Sequence, residues 1–245
     1  MSKQIAASGK SRQILFLILL AIAGQAALAQ TAQSGRDSDL FPARLNDAWT
    51  FDASGRRQSA AFTVNVTRVR RSGEAKEATL EWLAADGYRT QTEIYRISAS
   101  EVARVATGQD GECRYSPPLP ILRYPLANGR RWTWKGTLQF QHREVSGEAV
   151  MTASGPTTLQ APAGAFQAMR VHCDLILNVD GQSVSQPTDC WFAPGVGIVQ
   201  QRMQSGDSMI EGRLAAYNLR RSRLGARPSA PASGLPGLHL MPKQR

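Results

Sequence analysis

Between Met169 and Val179 the chain alternates without a break. Met169, Val171, Cys173, Leu175, Leu177 and Val179 fall on one side, and Arg170, His172, Asp174, Ile176 and Asn178 on the other. Residues at i and i+2 share a face only in an extended strand. One side is wholly apolar and the other mostly polar, as in an antiparallel strand with one face on a core and one toward water. Three more segments keep the same period. Phe62, Val64 and Val66 alternate with Thr63, Asn65 and Thr67; Ala78, Leu80 and Trp82 with Thr79 and Glu81; Leu138 and Phe140 with Gln139 and Gln141. Further strands are expected around Trp49, Ile94, Trp132, Val150, Val184, Val199 and Leu214.

Turn signals separate these runs at short intervals: Ser54-Gly55, Asp86-Gly87, Asn128-Gly129, Ala163-Gly164, Asp180-Gly181 and Pro194-Gly195. That spacing suits hairpins rather than βαβ units, whose crossovers are long. The fold class expected is mainly β: a single curved antiparallel sheet or a half-barrel of hairpins, with little helix. Ser98-Ala99-Ser100-Glu101 reads either as a capping box before a short helix or as a hairpin turn. Cys113 to Leu126 carries Pro117, Pro118, Pro120 and Pro125, which argues against helix and against a central strand. One short internal repeat stands out. Phe41-Pro42 precedes Trp49-Thr50-Phe51, and Tyr124-Pro125 precedes Trp132-Thr133-Trp134 at the same spacing. It reads either as two equivalent sheet halves or as a common way for strands to begin.

The ends differ from the middle. Lys3, Lys10 and Arg12, the apolar run from Ile14 to Gly24, and Ala27-Leu28-Ala29 have the order of a cleavable signal peptide over residues 1–29. The rival reading, a retained anchor, needs an apolar run of about 20 residues, and Gln25 closes this one sooner. The expected location is therefore periplasmic or secreted, with no transmembrane span in the mature chain. Residues 30–39 read as a flexible lead, 40–219 as the β-rich domain, and 220–245 as a disordered basic tail rich in Pro, Ala, Ser and Gly.

The net charge of +10 invites a nucleic-acid reading. Without the two ends, however, 20 basic residues face all 19 acids. A nearly neutral domain does not demand a polyanion, so no nucleic-acid partner is expected. Cys173 and Cys190 flank the Asp180-Gly181 turn. Pairing Val179 with Val184 sets the two cysteines opposite each other, where a cross-strand disulfide is a candidate. Free thiols, or a bond from either to Cys113, remain alternatives.

Catalytic signals are lacking. No HExxH, GxSxG, P-loop or GxGxxG occurs, and the acids are scattered singly. No catalytic residue, metal site or cofactor is expected. His172 and Asp174 share a strand face and could pair; a solvated polar face is the plainer reading. Trp49, Trp82, Trp132, Trp134 and Trp191 all lie in expected strands. They are candidate ligand-binding residues on a concave face, with core filling the plainer reading.

Tyr115-Ser116-Pro117-Pro118-Leu119-Pro120, Tyr124-Pro125-Leu126, Ala161-Pro162-Ala163-Gly164-Ala165-Phe166 and Trp191-Phe192-Ala193-Pro194-Gly195-Val196-Gly197 carry a resemblance. Residues 113–203 resemble exported bacterial proteins of the DUF3108-like or TapB-like group. Ala165 and Phe192 depart from that group's usual Thr and Tyr. The resemblance implies a curved sheet similar to the LolA-like half-barrel, and no catalytic residue. The functional expectation is an exported, non-catalytic protein that binds a hydrophobic or lipid-like ligand in a concave sheet. The alternative is an envelope scaffold that meets a protein partner through its sheet edge or basic tail.

Overall fold

The computed structural model describes residues 40–55, 59–140, 142–205 and 208–220. The expected signal peptide at 1–29, the expected lead at 30–39 and all of the expected tail at 220–245 except Arg220 lie outside the described residues. Twelve strands follow one another: β1 (Ala48–Ser54), β2 (Ser59–Ser72), β3 (Ala75–Ala84), β4 (Arg89–Ile97), β5 (Glu101–Thr107), β6 (Cys113–Arg123), β7 (Arg131–Phe140), β8 (Arg143–Ala161), β9 (Gly164–Val179), β10 (Gln182–Ala193), β11 (Gly197–Ser205) and β12 (Ser208–Asn218). Each pairs antiparallel with its neighbours in sequence, and β12 pairs back onto β1. The mainly β class and the meander of hairpins are as the sequence predicts. The sheet curves beyond a half-barrel and closes on itself.

Alternation decides which side faces in. Val64 and Val66 of β2, Ala78 and Leu80 of β3, Met151 and Ala153 of β8, and Val171, Leu175 and Leu177 of β9 are buried in one core. Their neighbours Asn65, Glu81, Thr152 and Asp174 lie on the other side. An apolar interior with a polar exterior reverses the arrangement of a barrel that crosses a bilayer with its strands. No helix among the described residues is long and apolar enough to span one.

Closure leaves two barrel ends. Residues 40–43 cross one of them. The Ala43 carbonyl accepts from Lys76 Nζ at 3.0 Å, beside the β2–β3 turn, and Pro42 lies against Gly197, beside the β10–β11 turn. Between these anchors Phe41 packs on Tyr95, ring centroids 4.9 Å apart. The other end carries the β9–β10 and β11–β12 hairpins.

The β9–β10 hairpin corrects one expectation. Asp180 (φ 51°) and Gly181 (φ 80°) are both left-handed, which makes a two-residue turn of the kind whose twist suits a hairpin. Val179 therefore faces Gln182, two residues from the register the sequence reading assumed. Cys173 lies opposite Thr188 and Cys190 opposite Val171. The cysteines are diagonal neighbours on the inner face, and both, like Cys113, are free thiols.

The proline-rich segment is the second correction, because it forms β6 inside the barrel. Its prolines act on the ladder instead. β6 and β7 exchange pairings only from Arg114–Ser116 to Gln139–Thr137. Beyond that point Pro117, Pro118 and Pro120 have no N–H to give. Two indoles fill the gap. Trp134 Nε1 donates to the Pro117 carbonyl and Trp132 Nε1 to the Pro120 carbonyl, each at 2.8 Å. Ser98 to Glu101 forms a hairpin turn rather than a helix start. Ser98 Oγ accepts from the Glu101 backbone N–H at 3.1 Å, the same side-chain-to-backbone bond a cap would make.

Candidate functional site

The barrel interior is not filled. A cavity of about 190 Å³ lies within it. An engineered apolar cavity of about 150 Å³ is enough to take benzene. Most of the wall is hydrocarbon: Phe62 and Trp82 from β2 and β3, Leu119 and Ile121 from β6, Met151 from β8, Val171 and Leu175 from β9, Phe192 from β10. Met203 and Ile210 also line it, yet remain 44% and 42% exposed. They face each other across β11 and β12 near the hairpin end. That end is the mouth; residues 40–43 cover the opposite one.

A charged cluster is set into this apolar wall. Glu93 points inward from β4 and is buried. All its acceptor positions are engaged. Oε1 takes Gln91 Nε2 at 3.1 Å and Arg104 Nη2 at 3.0 Å; Oε2 takes Trp82 Nε1 at 3.0 Å and the Tyr95 hydroxyl at 2.8 Å. Arg104, from β5, also donates from Nε and Nη2 to the Tyr95 oxygen at 3.3 and 3.1 Å. Its guanidinium carbon lies 5.6 Å from the centre of the Tyr95 ring. Burial by itself would lower the Arg104 pKa, but Glu93, Tyr95 and Tyr115 outweigh it and hold the guanidinium charged. Burial pushes both tyrosines up, Tyr95 strongly, so both phenols keep their protons.

Two thiols complete the wall. Burial raises Cys173 to about 11 and Cys190 to about 12. A thiol held protonated is a poor nucleophile and behaves as a small apolar group.

The five tryptophans separate into three roles. Trp82 lines the cavity, and Trp49 lines a smaller adjoining pocket of about 30 Å³ with Phe41 and Tyr95. Trp132 and Trp134 are buried along the β6–β7 gap. Trp191 lies on the outer face of β10, between the guanidinium groups of Arg170 and Arg202, each 5.6 Å from its ring. His172 is also outside: Nδ1 is 2.8 Å from Asp189 and Nε2 3.1 Å from Asp174, so the His172–Asp174 pair forms but faces away from the cavity. No group of three or more metal-binding side chains occurs among the described residues.

The polar cluster is not evident from the sequence because the β4–β5 register that joins Glu93 to Arg104 is shifted by a bulge. One signal was present. Glu93 falls between Gln91 and Tyr95, and Arg104 between Val102 and Ala106, each on the inward side of its strand. A lone charge within a buried face needs a partner.

Fold and interior together define a closed up-and-down β-barrel with an apolar cavity and one neutralised ion pair in its wall. Among solved structures, a protein from Parabacteroides distasonis, provisionally described as a lipoprotein, is similar to this chain. The match has a TM-score of 0.53 at 11% identity and covers 73% of this chain and 98% of that one. An exported protein with a YmcC-like fold from Bacteroides fragilis, also provisionally described, matches at 0.43 and 13% identity over 73% and 98% of the two chains. The hypothetical lipoprotein YmcC of Escherichia coli matches at 0.35 and 10% over 80% and 96%. No family model and no curated protein matches the chain. The DUF3108-like resemblance thus rests on the segments within 113–203, and the first of these likenesses bears on the fold alone.

Proposed function

We propose that this chain is an exported, non-catalytic binding protein whose barrel interior holds a hydrophobic or lipid-like ligand. The observation that carries the reading is the 190 Å³ apolar cavity with the exposed Met203 and Ile210 side by side at its rim. A barrel of about eight strands is just wide enough for side chains to fill; this one has twelve and so has room for a ligand. The signal-peptide pattern at 1–29 supports export. Lack of catalysis is supported by chemistry: the Glu93 carboxylate is fully engaged, both thiols are held protonated, and His172 faces outward. The scaffold alternative loses its sheet edge, since closure pairs β1 with β12.

Native mass spectrometry of the protein purified from its own export compartment tests this reading. A mass adduct that extracts into organic solvent and is identified as a lipid or other apolar compound is the expected result. An adduct-free protein that also fails to take up an added apolar dye would contradict it.

A further inference from the structure

The cavity discriminates among apolar ligands by what its polar cluster still has to give. This inference rests on the binding reading above and specifies the ligand. Glu93 accepts three hydrogen bonds and pairs with Arg104, which together engage both of its oxygens twice. The Tyr95 hydroxyl donates one and accepts two. Arg104 is different. A guanidinium has five N–H groups, and Nε and Nη2 supply the contacts to Tyr95 and Glu93. Tyr115 lies close enough for the Arg104 charge to act on its phenol. An N–H on Nη1 is left, while the Tyr115 phenol proton has no acceptor among the described residues. Arg104 keeps 27% of its side chain exposed, and both residues line the cavity. Arg104 and Tyr115 therefore present unused donors to the cavity. Gln91, bonded to Glu93, and the other glutamine amides of the wall carry donor and acceptor alike and discriminate nothing.

Charge supplies the second constraint. Glu93 and Arg104 cancel. A carboxylate head would leave a net negative charge in a low-dielectric enclosure, and an ammonium head a net positive one. Either is disfavoured in such surroundings.

We propose that the cavity takes a single acyl chain bearing an uncharged carbonyl, an ester or amide, with the carbonyl oxygen accepting from Arg104 and Tyr115.

Four probes of equal chain length test this by competition with a bound dye at pH 8: methyl decanoate, decanoate, decylammonium and decane. Methyl decanoate is expected to bind tightest, by about tenfold or more over either charged probe, since a desolvated charge is worth more than one hydrogen bond. The Tyr115→Phe variant, which keeps the ring, should weaken methyl decanoate about three- to tenfold and leave decane unchanged. Decanoate binding as tightly as its ester overturns the proposal. So does decane equalling the ester, or Tyr115→Phe leaving the ester unaffected. Binding of all four alike would leave the apolar-ligand reading standing and remove this one; binding of none would remove both.

Discussion

Asn46 and Gly129 occupy the same place in the two halves of the barrel. Each has a left-handed backbone, φ 69° and 78°, two residues before the strand β1 or β7. Each donates its N–H to a facing strand: Asn46 to the Val66 carbonyl and Gly129 to the Ala153 carbonyl, both at 2.9 Å. The return bonds also correspond, Val66 N–H to Asp47 O at 2.9 Å and Ala153 N–H to Arg130 O at 2.8 Å. β1 and β7 stand half a circuit apart in the strand order. The aromatic-Pro and Trp-Thr-aromatic repeat thus opens two six-strand halves, as one of the two sequence readings expected.

This equivalence predicts unequal tolerance. Asn is among the few residues that enter left-handed backbone readily, and Gly is freer still. Asn46→Gly should change stability little, while Gly129→Val should cost about 1–2 kcal/mol. Urea unfolding followed by tryptophan fluorescence measures both. Equal effects would contradict the shared conformation.

The β6–β7 gap predicts a role for indole nitrogen that ring size does not supply. Trp132→Phe leaves the buried Pro120 carbonyl without its donor and should cost about 1–3 kcal/mol, while Trp134→Phe, whose partner Pro117 is exposed, should cost less. Gly136→Ala attacks the same place from the backbone. A methyl there meets the Ser116 carbonyl oxygen and the Trp134 ring well inside contact distance. Hydrogen exchange should show faster opening of β6 and β7 in all three variants. Uniform loss across the barrel would place the effect elsewhere.

The ion pair predicts non-additive mutations. Arg104→Met leaves Glu93 buried and unpaired and should cost about 3–5 kcal/mol. Glu93→Gln combined with Arg104→Met should recover part of that loss, because no isolated charge remains. Thermal unfolding of the two single variants and the double variant completes the cycle. Simple additivity would show that the pair is not coupled.

The thiols predict loss of stability at high pH. Cys173 and Cys190 have folded pKa values of about 11 and 12, above the ordinary thiol value, with burial the main cause. The unfolded chain gives up those protons first. Their contribution is thus complete below the ordinary thiol pKa and is lost as pH rises through 11 and 12. Tyr95 and Tyr115, also raised, act in the same direction. Cys173→Ala and Cys190→Ala together should flatten the alkaline limb of stability against pH. In the native protein both thiols should resist alkylation at pH 8 and react once urea is added.

Period-two alternation made the strands legible in the sequence, and β9 is the clearest instance. It also fixed which residues face inward. Closure was not legible, because curvature accumulates from small twists and bulges such as those at Thr50/Phe51 and Trp191/Phe192. The cysteine register failed on one assumption, a wider loop where Asp180-Gly181 makes a two-residue turn. The site was legible only in part. Trp82 was foreseen, but Glu93, Arg104 and Tyr115 meet through pairings between strands that local pattern does not encode. Trp132 and Trp134 looked like ligand residues because nothing in the sequence shows that proline carbonyls need their N–H groups.

The central claim is that the barrel interior binds. Titration with the apolar dye N-phenyl-1-naphthylamine, read by energy transfer from tryptophan, tests it most directly when paired with Thr188→Phe. Thr188 lines the cavity and is only partly buried, so a larger ring there occupies the space without a new core defect. Saturable binding to the native chain, abolished in a Thr188→Phe protein that keeps its β-sheet circular dichroism, is the predicted result. Equal dye binding by both proteins would place the dye on the surface and contradict the account.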